Sequence, residues 1–293
     1  MSLNFKGYNH MLIGIIMTTS IAFSQDTNNS LMDWEVIAEL PDEIGQPNKG
    51  LAGSFAGISN DVMLIAGGAN FQNEMPWEGG KKYWSDKIYV LKRKANEYKW
   101  HSKTFKLPHP IAYGYSISTP NGVLCIGGRD NVKTYSEVFY MKWEALSESV
   151  IIEKLPELPI PLANMSASII SEKVYVAGGE YMGETTNHFF SLDISSNDSS
   201  NYKWTKLPSL PGLSRAYSVL QSQSNGKEHG LYLFSGRSYN KNGFIEILYD
   251  SYFFSPIHNN WERLDEKINF PVMAGNSFES GLEFIFLPSG TDG

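Results

Sequence analysis

The chain has 293 residues and carries a formal net charge of −7, with 24 basic against 31 acidic side chains and no basic stripe. That balance argues against nucleic acid as a partner. A single cysteine, Cys125, excludes an intramolecular disulfide framework, and the length allows one large core or two smaller ones.

Residues 1–24 read as an export signal. Lys6 lies in a short polar stretch, residues 11–22 form an apolar segment, and Ala22 and Ser24 sit at the −3 and −1 positions before Gln25. The segment is too short to span a bilayer comfortably, although an uncleaved anchor is the other reading. A periplasmic or secreted protein, free of the membrane after cleavage, is the expectation. Residues 25–33 form a flexible leader, and 34–293 are expected to be one domain. A first strand is expected at 34–41, running from Trp34 to Leu40-Pro41.

Four periods follow, over about 50–108, 110–156, 160–208 and 213–264. Each opens on a small, mixed strand, such as Ala112 to Ser118 or Ala216 to Leu220. A turn leads to an apolar run ending in Gly-Gly. A third strand carries aromatic and β-branched residues, as in Ile88 to Leu91, Val138 to Met141 and His188 to Leu192. A fourth tends to carry a Trp and end near Leu-Pro, as in Trp100 to Pro108 and Trp204 to Pro208. Trp261 to Leu264 lacks the Pro, and the second period ends at Leu155-Pro156 with no Trp in its fourth strand. Two strands of a fifth period precede Gly293.

The glycine-marked segments set the period. Their last glycines are Gly68, Gly128, Gly179, Gly236 and Gly290. A repeat of roughly 50 residues with this strand pattern is the kelch-type signature of a β-propeller blade. Continuous apolar runs suit strands covered on both faces. The predicted fold is therefore an all-β kelch-type β-propeller with four complete blades plus partial blades. The last blade lacks a third strand, which would leave unpaired edges. A C-terminally shortened chain, poorly soluble or paired through strands into a homo-oligomer, is the expectation.

One stretch goes beyond the generic repeat. Gly50 to Asp61, Gly67-Gly68-Ala69-Asn70-Phe71, Gly79-Gly80-Lys81-Lys82 and Asp86 to Tyr89 resemble the N-acetylneuraminate epimerases, or sialic acid mutarotases. Ala112 to Ser116 and Cys125 to Gly128 continue the likeness. In the common form of that family this block lies near the C-terminus, so the chain resembles a cyclically permuted branch. The resemblance implies an exported six-bladed propeller, an isomerase that interconverts the α and β anomers of N-acetylneuraminate, and no metal or organic cofactor. The reaction opens and recloses the sugar ring, which needs a base at the anomeric hydroxyl and an acid at the ring oxygen. The substrate carboxylate calls for a bidentate Arg.

The family's catalytic pair is a Glu with an Arg six residues later, in Gly-Glu-x-x-x-Gly-x-Arg. Gly179-Glu180-Tyr181-Met182-Gly183 comes closest, but Thr186 stands where the Arg belongs. The resemblance thus implies that the catalytic blade is missing here and leaves Glu180 as the nearest counterpart. Arg129 and Glu180 directly follow glycine pairs, Arg237 follows the equivalent Ser235-Gly236, and Arg215 begins an innermost strand. Arg129, Arg215 and Arg237 are expected to meet an anionic sugar, with Asn70 and Lys81 contributing from the family-like loop, where Phe71, Trp77 and Lys82 also lie. Arg215 and Arg237 are expected to serve binding with little part in stability. A second reading has such arginines tying neighbouring blades together. The six histidines show no metal-ligand spacing, and Cys125 reads as a core thiol. A non-catalytic exported propeller that binds a glycan or a protein is the alternative function.

Overall fold

A computed structural model describes residues 35–42, 45–95, 97–264, 268, 270–282, 284–288 and 290–291. The expected export signal and leader lie outside these residues. Four antiparallel sheets follow one another along the chain. The first orders its strands as Phe55–Ser59, Val62–Ala66, Lys87–Lys94 and Glu97–Trp100, with Phe105–Lys106 pairing the third strand. The second runs Tyr115–Thr119, Gly122–Ile126, Val138–Glu144 and Ser149–Leu155. The third runs Ser166–Ile170, Lys173–Ala177, Phe189–Asp193 and Trp204–Lys206. The fourth runs Val219–Ser224, His229–Phe234, Ser251–Ser255 and Asn260–Arg263. Phe278–Ser280 and Phe284–Phe286 pair as a two-stranded unit after them. The first strands of successive sheets touch one another, so the sheets radiate from a common axis. This is the all-β propeller that the repeat predicts.

Four apolar cores fill the gaps between consecutive sheets. Phe55, Leu64 and Val90 of the first sheet meet Val123, Cys125 and Phe139 of the second. Leu124, Ile126 and Tyr140 of the second meet Val174, Val176 and Phe190 of the third. Alternate side chains of one strand thus serve opposite cores, and all five residues of Gly122–Ile126 are buried. That two-sided burial is why the run is apolar throughout. Cys125 lies in the first of these cores as a free thiol, and burial pushes its pKa well up.

The glycine pairs have a specific task. The N–H groups of Gly68, Gly128 and Gly179 donate to the carbonyls of Ile111, Leu162 and Arg215, each at the entry to the next sheet. The preceding glycine has φ of 69° at Gly67, 56° at Gly127 and 63° at Gly178. A Cβ there would lie 2.2, 2.4 and 2.3 Å from those same carbonyl oxygens. Only glycine combines that backbone with that approach.

The tryptophans tie the outer edge. The Trp204 and Trp261 indoles donate to the carbonyls of Pro156 and Pro208, which end the preceding sheets. Trp100 donates likewise to the Glu39 carbonyl. The strand expected at 34–41 needs correction, because residues 35–41 join no ladder. The Trp100 indole bond ties them to the outer part of the first sheet.

Candidate functional site

A second set of bonds runs around the axis. The N–H of Tyr113 donates to the Gly53 carbonyl, Asn164 to Tyr113 and Tyr217 to Asn164, each at 2.8 Å, and Ala274 donates to Tyr217 at 3.0 Å. Gly53, Tyr113, Asn164, Tyr217 and Ala274 all have φ between 52° and 64°. Each follows a small or flexible residue that bridges to the residue after a Gly-Gly or Ser-Gly step. The bridges are Ala52 with Ala69, Ala112 with Arg129, Ala163 with Glu180, Ala216 with Arg237, and Met273 with Thr291. The fold therefore brings Arg129, Glu180 and Arg237 side by side at one end of the axis, beside Tyr113, Asn164 and Tyr217. Left-handed backbone at a bulky residue costs about 1–3 kcal/mol, a strain that tends to collect at functional sites.

Glu180 is the centre of this group. Its Oε1 accepts from Arg129 Nη1 at 3.1 Å. Its Oε2 accepts from Asn164 Nδ2 at 2.9 Å and from the Tyr239 hydroxyl at 2.8 Å. The Glu180 side chain is 12% exposed and that of Arg129 38%. Burial, followed by the bond to Glu180, raises the Tyr239 pKa far above its usual range, so the phenol stays a donor. Burial also raises Tyr217, and the Glu180 charge adds to the shift.

Arg237 is held differently. Its guanidinium lies 5.1 Å from the centres of both the Tyr217 and Tyr239 rings. No carboxylate among the described residues pairs with it, and its buried Nε has no partner. Two rings thus fix a cation whose donors are unspent.

Lys82 is a second cation without a carboxylate partner among the described residues. Its ammonium donates to the Tyr113 hydroxyl at 2.9 Å and lies over the rings of Phe71, Trp84 and Tyr113. An open cleft of about 520 Å³ adjoins it, lined in part by Asn70, Phe71, Lys82 and Tyr113. Among the described residues no group of three or more His, Cys, Asp or Glu is placed to hold a metal ion.

Two of the expected site residues lie elsewhere. Arg215 is fully buried, at 0% exposure. It makes a bidentate pair with Asp250 at 2.8 and 2.9 Å and donates to the Ser235 and Pro211 carbonyls. It ties the third and fourth sheets together and has no face for a soluble sugar. Lys81 is exposed and precedes the hairpin in which its neighbour Lys82 pairs with Phe71. Lys82, not Lys81, reaches Tyr113. Asn70 does line the cleft, with its amide donating to the Gly50 carbonyl at 2.7 Å. Trp77 is 77% exposed on a short turn. Asn164, Tyr217 and Tyr239 were not anticipated. The signal for the first two is the recurrent small residue followed by a left-handed one before each innermost strand.

The sequence profile of the N-acetylneuraminate epimerase family matches residues 14–151 and 155–289. The N-acetylneuraminate epimerase of Brucella melitensis biotype 1 is 36% identical over 128 residues, covering 40% of this chain and 32% of the relative. The enzyme of that name from Yersinia enterocolitica is 34% identical over 145 residues, covering 44% and 34%. These matched stretches span about a third of the relatives' length. A solved structure titled "Structure of YjhT" superposes with a TM-score of 0.60 at 13% identity, covering 80% of this chain and 75% of the other, which supports the fold. With a profile match over most of its length, the chain belongs to the N-acetylneuraminate epimerase family.

Proposed function

We propose that this chain acts on N-acetylneuraminate and speeds the exchange of its α and β anomers. In this reading Arg237 receives the sugar carboxylate and Glu180 takes the proton of the anomeric hydroxyl. One observation carries the reading: a carboxylate held by three donors stands beside a guanidinium whose own donors are free. A guanidinium offers two parallel N–H bonds to a carboxylate, and stacking on Tyr217 and Tyr239 sets its plane beforehand. Removing the hydroxyl proton lets the anomeric carbon form a carbonyl as its bond to the ring oxygen breaks. Rotation and reclosure then give the other anomer.

The test is NMR of freshly dissolved β-N-acetylneuraminate with this 293-residue chain. The approach to anomeric equilibrium should outpace the buffer control at matched pH. Arg237→Ala should raise KM by roughly tenfold or more, because a hydrogen bond to a charged group is worth about 1.5–3 kcal/mol. A rate equal to the buffer control would remove the enzyme reading.

Thr186, in place of the family's Arg, favours a second reading. In that case the protein binds the sugar without turnover, and the same experiment shows saturation transfer to the sugar with no change in anomerisation.

Export of the protein is also part of the proposal, on the pattern of residues 1–24. N-terminal sequencing of the mature protein should begin at Gln25. A mature N-terminus at residue 1 would overturn it. Among the described residues no helix is long and apolar enough to cross a membrane.

A further inference from the structure

We infer that Tyr113, held by Lys82, is the second proton-transfer group of this site and serves the sugar's ring oxygen. The inference rests on the proposed anomerisation, in which Glu180 handles only one of the two protons.

Four observations converge on Tyr113. It belongs to the axial belt, and its carbonyl accepts from Asn164, whose side chain in turn grips Glu180. Its backbone is left-handed, with φ of 61°. Its ring lies against Gly53, where a Cβ would come within 2.5 Å of Tyr113 Cδ1. The first sheet therefore gives up its own belt side chain and makes room for this ring. Finally, the hydroxyl meets the Lys82 ammonium at 2.9 Å, and that ammonium has no carboxylate to neutralise it among the described residues. A phenol bonded only to another phenol's neighbours would be scaffolding. The Tyr113 hydroxyl instead meets a cation at the lip of an open cleft, the placement a proton donor to a bound sugar requires.

The step balances as follows. The anomeric O–H gives its proton to the Glu180 carboxylate, and the freed electron pair forms the carbonyl at the anomeric carbon. The bond from that carbon to the ring oxygen breaks, with its electrons going to the ring oxygen. The Tyr113 hydroxyl delivers a proton there, and Lys82 stabilises the phenolate. Ring closure on the other face returns both protons, so neither oxidant nor co-reactant is consumed. Lys82 is a positioning residue in this scheme, acting through the phenol oxygen.

Tyr113→Phe isolates the idea, because it keeps the ring against Gly53 and removes only the hydroxyl. Anomerisation of N-acetylneuraminate should lose about a hundredfold in kcat. KM should stay within about twofold, and the melting temperature should hold. Lys82→Met should lower kcat less than Tyr113→Phe does, with the melting temperature held, and Lys82→Arg, which restores a cation at the phenol oxygen, should recover most of that loss. Saturation-transfer NMR of the bound sugar supplies a readout independent of turnover. If wild-type protein fails to speed anomerisation, the proposed function falls and this inference with it. If wild type is active and Tyr113→Phe matches its kcat, only the inference falls. A raised KM at unchanged kcat likewise overturns it and makes Tyr113 a binding residue.

Discussion

Arg215→Ala is expected to destabilise the protein by about 3–5 kcal/mol, the cost of breaking a buried ion pair from one side. The guanidinium has no solvent exposure, and it satisfies both oxygens of Asp250. Removing it strands a half-buried carboxylate and leaves the Ser235 carbonyl short of a donor. It also empties the space under the Tyr252 ring, over which the guanidinium sits at 5.4 Å. Thermal unfolding should show a fall of about 10 °C for a domain of this size. Burial pushes the Asp250 carboxyl up, but the Arg215 bonds and charge, with the Tyr252 hydroxyl, outweigh it and hold the pKa below its ordinary value. A lowered carboxyl pKa gives stability that is full above the unfolded value and lost as pH falls through the folded one. Wild type should therefore weaken below about pH 4, the ordinary carboxylate range, and Arg215→Ala should lose less over that interval. Asp250→Leu in the Arg215→Met background should recover part of the loss, since a buried pair can be replaced by apolar packing. A variant that melts with wild type would refute the structural assignment and restore Arg215 as a candidate for binding.

Why the sequence misplaced Arg215 yet placed its neighbours is a matter of what a repeat encodes. The glycine pairs were legible because their constraint is local: one carbonyl approaches one Cα, and a Cβ cannot intervene. The third strands were legible because both faces of each are packed. Arg215 sits at the right depth in the repeat, but its side chain turns outward between sheets, and the belt residue is Tyr217, two positions on. Lys81 and Lys82 differ by one residue at the start of a two-stranded hairpin, and a shift of one residue exchanges the faces. Residues 35–41 carry the pattern of an outer strand, but a ladder needs a partner that no local pattern specifies. The pairing of Arg129 with Glu180 was hidden for another reason. The family's motif carries a Glu and an Arg within one segment, whereas here the two come from consecutive sheets, 51 residues apart.

That cross-sheet pair makes Glu180→Gln the variant with the largest expected effect on activity, a loss of about 10²–10⁴ in kcat. The substitution keeps the shape of the side chain and removes its basicity. It also disturbs the bonding. Arg129, Asn164 and Tyr239 all donate toward the carboxylate, and both of its oxygens accept. An amide offers one acceptor oxygen, so its NH₂ must face at least one donor. Tyr239 can answer by turning its hydroxyl and Asn164 by flipping its amide, but Arg129 has no acceptor to offer there. The variant should therefore lose a modest amount of stability, about 1–2 kcal/mol for a group that keeps partial access to water. The decisive comparison sets turnover against binding. Arg237 is fixed by its two rings and not by Glu180, so saturation transfer to N-acetylneuraminate should persist in Glu180→Gln while anomerisation stops. Glu180→Asp retracts the carboxylate by about one methylene and should keep the base but misplace it, giving a rate between the two. If Glu180 served only to hold Arg129, the Gln variant would melt early and turn over normally. A kcat within twofold of wild type would therefore remove Glu180 from the chemistry, whatever the melting curve shows.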